Sequence, residues 1–181
     1  ELVQHVIEIK NISPAPALAG LADAFQGEVA AVNEVLAGRD ACLLPGAMHP
    51  WMDPRRETVL WPHGDNRIYR AFDRIFDCRG HGWSNLQSTH LNLAFQGDDE
   101  FARLHGAIRL LLPILPGLAA SSPFVEGRAS GMHDTRLHYY RQNQARVPSI
   151  AGLVIPERVA SRRQYIERIH QRIYRDIAPF D

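Results

Sequence analysis

The chain has 181 residues, of which 45% are hydrophobic and 22% are charged. This composition is close to average soluble usage and excludes a disordered or fibrous protein, and the length suffices for one domain with its own core. The 20 basic and 20 acidic residues balance, which argues against broad electrostatic capture of nucleic acid or of an anionic membrane. The two cysteines form no CxxC motif and offer no disulfide framework. Together with the absence of a membrane-spanning run or a signal segment from this sequence, this favours a cytoplasmic location.

The first half of the chain is predicted to begin with a strand and to continue with two helices. ELVQHVIEI, residues 1–9, is short and rich in β-branched residues, which predicts a strand. Apolar residues then recur at spacings of three and four between Leu18 and Leu36, and this stripe predicts a helix that ends at Gly38. Four prolines in residues 44–63 exclude regular helix from that loop, and helical spacing returns over residues 66–77.

The second half is predicted to mix one longer strand with three helices. WSNLQSTHLNLAF, residues 83–95, alternates in polarity and predicts a strand whose polar face forms the floor of a site. ASSPFVEGR predicts a short strand and a turn. Helices are predicted over residues 101–115, with a bend or end near Pro113, and over residues 136–144 and 159–177. Without a regular βαβ alternation, this order indicates an α+β domain on a largely antiparallel sheet.

The sequence contains none of the common phosphate-loop or hydrolase motifs. Neither GxxxxGK[ST] nor GxGxxG occurs, and HExxH and GxSxG are also missing. Arginine supplies almost all of the positive charge, since Lys10 is the only lysine. Any nucleotide must therefore be held by metal ions and by arginine side chains, whose planar forks match phosphate and carboxylate oxygens.

Acidic residues on the first predicted strand are candidates for binding a cation. Glu8 follows Val6 and Ile7 and precedes Ile9, where a buried, unpaired carboxylate would be costly. Either a metal ion or an arginine would satisfy this carboxylate, and spacing alone favours the arginine. Glu1 falls on the opposite face of a regular strand, so a shared site would require a bulge.

Further polar candidates lie on the later segments. His90 shares a strand face with polar neighbours and is either a structural hydrogen-bonding residue or a metal ligand. Glu126 and Arg128 alternate across Gly127 and are predicted to point the same way. They are either an anionic ligand beside a clamp for phosphate or carboxylate, or an ordinary ion pair. The donor-rich segment that contains Arg136 and Arg141 is either a phosphate-binding surface or a solvated helix face.

Five segments together resemble the type 2 glutamate–cysteine ligase family, which comprises carboxylate–amine ligases related to glutamine synthetase. They are ELVQHVIEI, GAMHPW, STHLNL, SSPFVEGRASG and RLHYYRQNQARVPSIAG. The resemblance implies a glutamine synthetase-like catalytic domain, in which a curved, largely antiparallel sheet with packed helices forms an open funnel for ATP and Mg²⁺ or Mn²⁺. It also implies that ATP activates a γ-carboxylate as an acyl phosphate, which an amine such as cysteine then captures.

The resemblance assigns roles to particular residues. Glu1, Glu8 and Glu126 are the implied metal ligands, and His90 is implied as a metal or phosphate contact. Arg128 is implied as the catalytic clamp beside Glu126. Arg136 and Arg141 are implied as further contacts of ATP.

The chain also departs from the family pattern. Family members are about twice as long, begin with a strand that carries a Gly-x-Glu-x-Glu type motif and continue past the last helix found here. Residues 1–181 are therefore predicted to be a single domain from the centre of a larger catalytic domain, with exposed sheet edges that favour a homo-oligomer. The expected partners are ATP, glutamate and an amine acceptor, with no nucleic acid and no membrane. The alternative functions are a non-catalytic relative that binds ATP or glutamate, and a metal-dependent hydrolase.

Overall fold

The computed structural model describes residues 2–64, 66–152 and 155–180, which form helices joined by irregular segments and one small sheet. The helices in the first part are α1 (Leu21–Ala37), α2 (Pro54–Glu57), α3 (Arg67–Phe76), α4 (His81–Ser84), α5 (Gly97–Leu111) and α6 (Leu115–Leu118). Strands β1 (Phe124–Val125) and β2 (Arg128–Ala129) follow, and then α7 (Thr135–Tyr140), α8 (Arg162–Tyr165) and α9 (Gln171–Ile177). This helix-rich arrangement with one two-stranded antiparallel sheet among the described residues is compatible with the predicted α+β class.

The longer helices confirm the predictions made from apolar spacing. Helix α1 begins after Gly20, whose φ is 80°, and ends at Gly38 as predicted. Helices α3 and α5 also lie where the pattern places them, and α5 stops before Pro113. The predicted C-terminal helix is observed as α8 and α9 joined through the π-helical turn Ile166–His170. Ser161 caps its start by accepting a hydrogen bond from the main chain of Gln164.

Two predicted strands are not observed. Within residues 2–9 the described secondary structure is an isolated antiparallel bridge between Val3 and Leu60. The segment predicted as a strand over residues 83–95 begins inside α4 and then runs without regular secondary structure. A strand needs a neighbour to accept and donate its main-chain hydrogen bonds, and alternation of polarity does not supply one. Among the described residues the sheet has only strands β1 and β2, so the extended curved sheet is not seen there.

Short local motifs account for two other differences from prediction. The loop of residues 44–63 contains the helical turn α2, although its prolines were expected to exclude helix. Pro54 lies at the start of this turn, where a missing N–H is tolerated, and Asp53 caps it by accepting the N–H of Arg55 at 3.1 Å. Helix α7 ends at Tyr140, before the predicted end at residue 144, and the chain continues in turns.

The buried core is small. Its apolar members are Val3, Met48, Met52, Ile75, Cys78, Val147, Val159 and Ile169. The accessible surface is 13284 Å², whereas a compact protein of 20.4 kDa exposes about 8,800 Å². Helices α5 and α6 contribute to this excess through exposed Leu110 and Leu118. No helix in the described part of the chain combines the length and the apolarity required to cross a membrane.

The main chain of α7 lies close to Gly82 of α4, and the Asn143 side chain occupies the space that a β-carbon at residue 82 would take. A β-carbon built at Gly82 would lie 1.7 Å from Oδ1 of Asn143 and 3.2 Å from the carbonyl oxygen of Tyr139. The neighbouring Trp83 donates its indole N–H to the carbonyl oxygen of Asn143 at 3.1 Å. These contacts fix α4 against the end of α7.

We expect Gly82→Ala to lower the free energy of unfolding by about 1 kcal/mol, because the added methyl group displaces the Asn143 side chain and comes within 3.2 Å of the Tyr139 carbonyl oxygen. Gly106→Ala is the matched control, since no atom lies within 4 Å of a β-carbon at Gly106 and alanine favours helix. Urea unfolding of both variants measures the difference. Equal midpoints for wild type and Gly82→Ala would contradict the close packing.

His105 lies buried between α5 and the C-terminal helix. Its ring stacks on Phe101 with 5.7 Å between ring centroids, and Tyr165 meets it edge-on at 5.8 Å. Neither ring nitrogen has a hydrogen-bond partner among the described residues. Burial, and then the positive charge of Arg109, lower the pKa of His105 below its ordinary value of 6.5.

Stability should fall as the pH drops through 6.5, because the unfolded chain then binds a proton at residue 105 that the folded protein does not. The variant His105→Leu removes this group. Between about pH 7.5 and about pH 5.5, we expect wild type to lose more free energy of unfolding than His105→Leu, as measured by denaturant unfolding. Equal losses would show that the His105 ring is not held neutral in the folded state.

Candidate functional site

Four segments that are distant in the sequence meet around one buried histidine. They are the loop of residues 49–51, helix α4 with the residue after it, the turn between β1 and β2, and helix α7. We call the residues that join them the His81 network: His49, His81, Asn85, Glu126 and Tyr139. His81 and Asn85 are buried, whereas the side chain of Glu126 is 61% exposed. The network therefore connects a buried amide to an accessible carboxylate.

The main chain of His49 fixes the orientation of Asn85. Oδ1 of Asn85 accepts the N–H of His49 at 2.7 Å, and Nδ2 donates to the carbonyl oxygen of His49 at 3.0 Å. An amide oxygen cannot donate and an NH₂ group cannot accept, so only one orientation of this amide satisfies both bonds. The second hydrogen of Nδ2 is then available to Nδ1 of His81, which lies 3.1 Å away.

This contact determines the tautomer of His81. Because Nδ2 of Asn85 can only donate, Nδ1 of His81 must accept and carries no proton. The ring is therefore neutral, with its proton on Nε2. Nε2 lies 3.1 Å from Oε1 of Glu126 and donates to it. An ordered chain of hydrogen bonds thus runs from the main chain of His49 to the Glu126 carboxylate.

Glu126 occupies a strained position at the tip of the β1–β2 hairpin. Its φ is 49° and that of Gly127 is 76°, as in a type I′ turn, in which Asn and Gly are preferred. A left-handed backbone costs about 1–2 kcal/mol for a residue such as glutamate. The turn is docked on the loop of residues 49–51, where Gly127 donates its N–H to the carbonyl oxygen of Pro50 at 2.8 Å.

Tyr139 of α7 covers the His81 ring. The two ring centroids are 4.7 Å apart, with a tilt of 36°. Burial, and then the negative charge of Glu126, raise the pKa of the Tyr139 phenol above its ordinary value. The phenol therefore keeps its proton at neutral pH.

Two of the predicted arginines have different surroundings at α7. Arg136 is half-buried and donates from Nε to the carbonyl oxygen of Gln87 at 3.1 Å and from Nη2 to Oγ of Ser88 at 2.6 Å. Its guanidinium also lies over the ring of Tyr140. Arg136 thus fastens the segment after α4 to α7. Arg141, at the end of α7, is exposed.

Arg128 does not stand beside Glu126 on one strand face. The prediction assumed strand alternation across Gly127, but the chain reverses at Glu126 and Gly127, and Arg128 pairs with Val125 in β2. Among the described residues, no ion pair within 4 Å joins Glu126 to Arg128, so the ordinary ion pair considered above does not form. The Arg128 side chain is exposed at the start of β2.

The metal ligands implied by the resemblance do not all come together. Glu1 lies outside the described residues, and Glu8 and His90 are exposed, which removes the buried carboxylate that the sequence suggested at Glu8. Within residues 2–64, 66–152 and 155–180, no three His, Cys, Asp or Glu side chains form a group that could hold a metal ion. Of the implied ligands that the structure describes, Glu126 is the one whose carboxylate accepts a hydrogen bond from a neighbouring side chain.

Three members of the network were missed from the sequence: His81, Asn85 and Tyr139. A signal for the first two exists, because His81 stands between Gly80 and Gly82 and lies four residues before Asn85, one helical turn away. Tyr139 carries no comparable signal.

Comparisons with known proteins identify the family. The family described as glutamate-cysteine ligase family 2 matches residues 1–174. An uncharacterized protein of Archaeoglobus fulgidus is 42% identical over 166 residues, which make up 91% of this chain and 44% of that protein. The chain therefore spans less than half the length of this relative. No solved structure matches the chain. Since the family match extends over nearly the whole chain, the protein belongs to glutamate-cysteine ligase family 2.

Proposed function

We propose that the full-length gene product is an ATP-dependent carboxylate–amine ligase of the glutamate–cysteine ligase type. Family membership supports this class of reaction. The observation that carries the assignment to this chain is the exposed Glu126 carboxylate, held on a strained turn by His81 and followed by the exposed Arg128. An anionic ligand for a cation and a cationic clamp are the two groups that ATP chemistry without a phosphate loop requires.

The proposed reaction has two displacement steps. An oxygen of the glutamate γ-carboxylate attacks the γ-phosphorus of ATP, the bond from that phosphorus to the bridging oxygen breaks, and ADP leaves. The amine nitrogen of the acceptor then attacks the carbonyl carbon of the acyl phosphate, inorganic phosphate leaves, and the nitrogen loses a proton. Neither step needs a covalent nucleophile from the protein, so positioning and charge neutralisation are the main demands on it.

Glu126 fits the binding of Mg²⁺ or Mn²⁺ as a single ligand. Oε1 accepts a hydrogen bond from Nε2 of His81, which leaves Oε2 free to contact a cation. Mg²⁺ commonly takes one or two protein carboxylates together with water and substrate phosphates, so one free carboxylate oxygen is a sufficient contribution. When bound, such an ion neutralises phosphate charge. Glu1, Glu8 and His90 stay in the proposal as further ligands.

The arginines have separate proposed roles. Arg128 is the clamp on the transferring phosphoryl group, because its side chain is exposed immediately after the Glu126 turn. Arg136 uses Nε and Nη2 within the protein, and its Nη1 is the group that we assign to ATP. Arg141 is proposed as an outer contact of the same ligand.

The glutamine synthetase-like architecture is also part of the proposal. We assign residues 1–181 to one domain, the central part of a larger catalytic domain whose curved sheet has further strands. The support is the 44% coverage of the Archaeoglobus fulgidus relative and the large exposed surface. A non-catalytic relative that keeps the binding site is an alternative that the following experiment separates.

The direct test is ADP formation by the full-length gene product with Mg²⁺, ATP and glutamate, with and without cysteine. We expect ADP to form and cysteine to increase its rate. Glu126→Gln and Arg128→Gln should each lower this rate by about 100-fold or more, because each removes a charge from the site of phosphoryl transfer. Both side chains are exposed, so the unfolding midpoints should stay close to that of wild type.

Arg39→Gln is the matched control for Arg128→Gln. Arg39 is an exposed arginine that follows α1, and in the described part of the chain it makes no hydrogen bond or ion pair with a residue of the His81 network, so its replacement should leave ADP formation unchanged. Binding of ATP or glutamate without ADP release would favour the non-catalytic alternative. Full activity in either site variant would refute the assignment of that residue.

A further inference from the structure

The proposed reaction leaves His81 without a role, although it is a conspicuous group near the Glu126 carboxylate. Its side chain is only 7% exposed, yet both ring nitrogens have partners, at 3.1 Å each. A buried imidazole whose Nε2 donates to an exposed carboxylate is well placed to direct that carboxylate. The Asn85 amide determines which ring nitrogen donates, so the direction of this hydrogen bond is fixed.

We propose that His81 is a positioning residue for Glu126, which holds Oε1 through its Nε2–H and thereby presents Oε2 to a divalent cation. This inference rests on the proposed function for the assignment of Glu126 as a cation ligand. Histidine and carboxylate partners behind metal ligands commonly fix the orientation of those ligands. Here His81 donates a hydrogen bond to the Glu126 carboxylate, and the buried Asn85 in turn donates a hydrogen bond to His81.

The backbone around Glu126 supports a positioning role over a purely structural one. Glu126 has a φ of 49°, which asparagine or glycine would adopt with less strain, and Gly127 anchors the same turn to Pro50. The anchoring of the turn therefore does not depend on the Glu126 side chain. That side chain instead makes its hydrogen bond with His81. The presence of glutamate at this strained position is explained if the orientation of its carboxylate is needed for binding a cation.

Two variants of His81 test the contributions of Nε2 and Nδ1 separately. The amide nitrogen of His81→Gln reaches the position of Nε2 and can still donate to Glu126, but the contact with Asn85 is lost. The amide oxygen of His81→Asn reaches the position of Nδ1 and can still accept from Asn85, but the donor to Glu126 is lost. Each variant gives up one buried hydrogen bond, so their losses of stability should be similar.

The readout is Mn²⁺ binding by the full-length gene product without ATP, measured from the electron paramagnetic resonance signal of free Mn²⁺. We expect His81→Asn to weaken Mn²⁺ binding by about 10- to 100-fold, and His81→Gln to stay within about threefold of wild type. Glu126→Gln should weaken binding at least as much as His81→Asn. Wild-type affinity in His81→Asn, together with weak binding in Glu126→Gln, would overturn the positioning role alone.

The failure of the proposed function gives a different pattern. If wild type forms no ADP but the His81 variants still differ in Mn²⁺ binding, the positioning role stands and the ligase assignment falls. If Glu126→Gln binds Mn²⁺ like wild type, Glu126 is not a ligand and the positioning role falls with it.

A second measurement covers the case in which His81→Asn does not fold. Diamagnetic Mg²⁺ is added to wild type, and the NMR signal of the His81 Nε2–H proton is followed. We expect this signal to shift with Mg²⁺ in wild type and not in Glu126→Gln. A signal that stays constant while Mg²⁺ binds would overturn the proposal.

Discussion

The hydrogen bond between the Asn85 amide and Nδ1 of His81 sets the tautomer of the imidazole, and the direction of the contact with Glu126 follows from it. The main chain of His49 holds this amide from both sides, so Asn85 can offer only a donor to the ring. The ring must then carry its proton on Nε2, toward Glu126. Two buried groups that have no freedom of orientation thus control the direction of one exposed carboxylate. Such control requires burial, because water would otherwise offer the ring alternative partners.

The helices bring these groups together, but irregular segments contribute most of the chemistry. Gly82 lets α4 approach α7, which places the His81 ring under Tyr139. Arg136 ties the segment after α4 to α7, and Gly127 ties the hairpin turn to the loop of residues 49–51. Rigid elements that position loops in this way are typical of sites in which binding groups lie on connections. The same arrangement explains why a chain with a small apolar core still forms an ordered polar cluster.

Apolar spacing predicted the helices well, because the information for an amphipathic helix lies within the helix itself. Helices α1, α3 and α5 were found where Leu, Ile and Phe recur at three and four residues. The predictions of strands over residues 1–9 and 83–95 were wrong, because a strand forms only where another segment of the chain pairs with it. Glu126 could be singled out from SSPFVEGR, but its contact with His81 spans 45 residues, and that between Asn85 and His49 spans 36. No local pattern predicts such pairings, and the exposure of Glu8 was likewise decided by packing that its apolar neighbours did not reveal.

The protonation of the His81 ring can be observed directly in the full-length gene product by long-range ¹H–¹⁵N NMR on labelled histidine. The nitrogen shifts and coupling pattern of an imidazole identify its neutral tautomers and its charged form. The structure predicts a neutral His81 ring with the proton on Nε2, and predicts that this tautomer persists in Glu126→Gln because Asn85 sets it. A proton on Nδ1 would contradict the orientation of Asn85 and, with it, the control of Glu126 by His81.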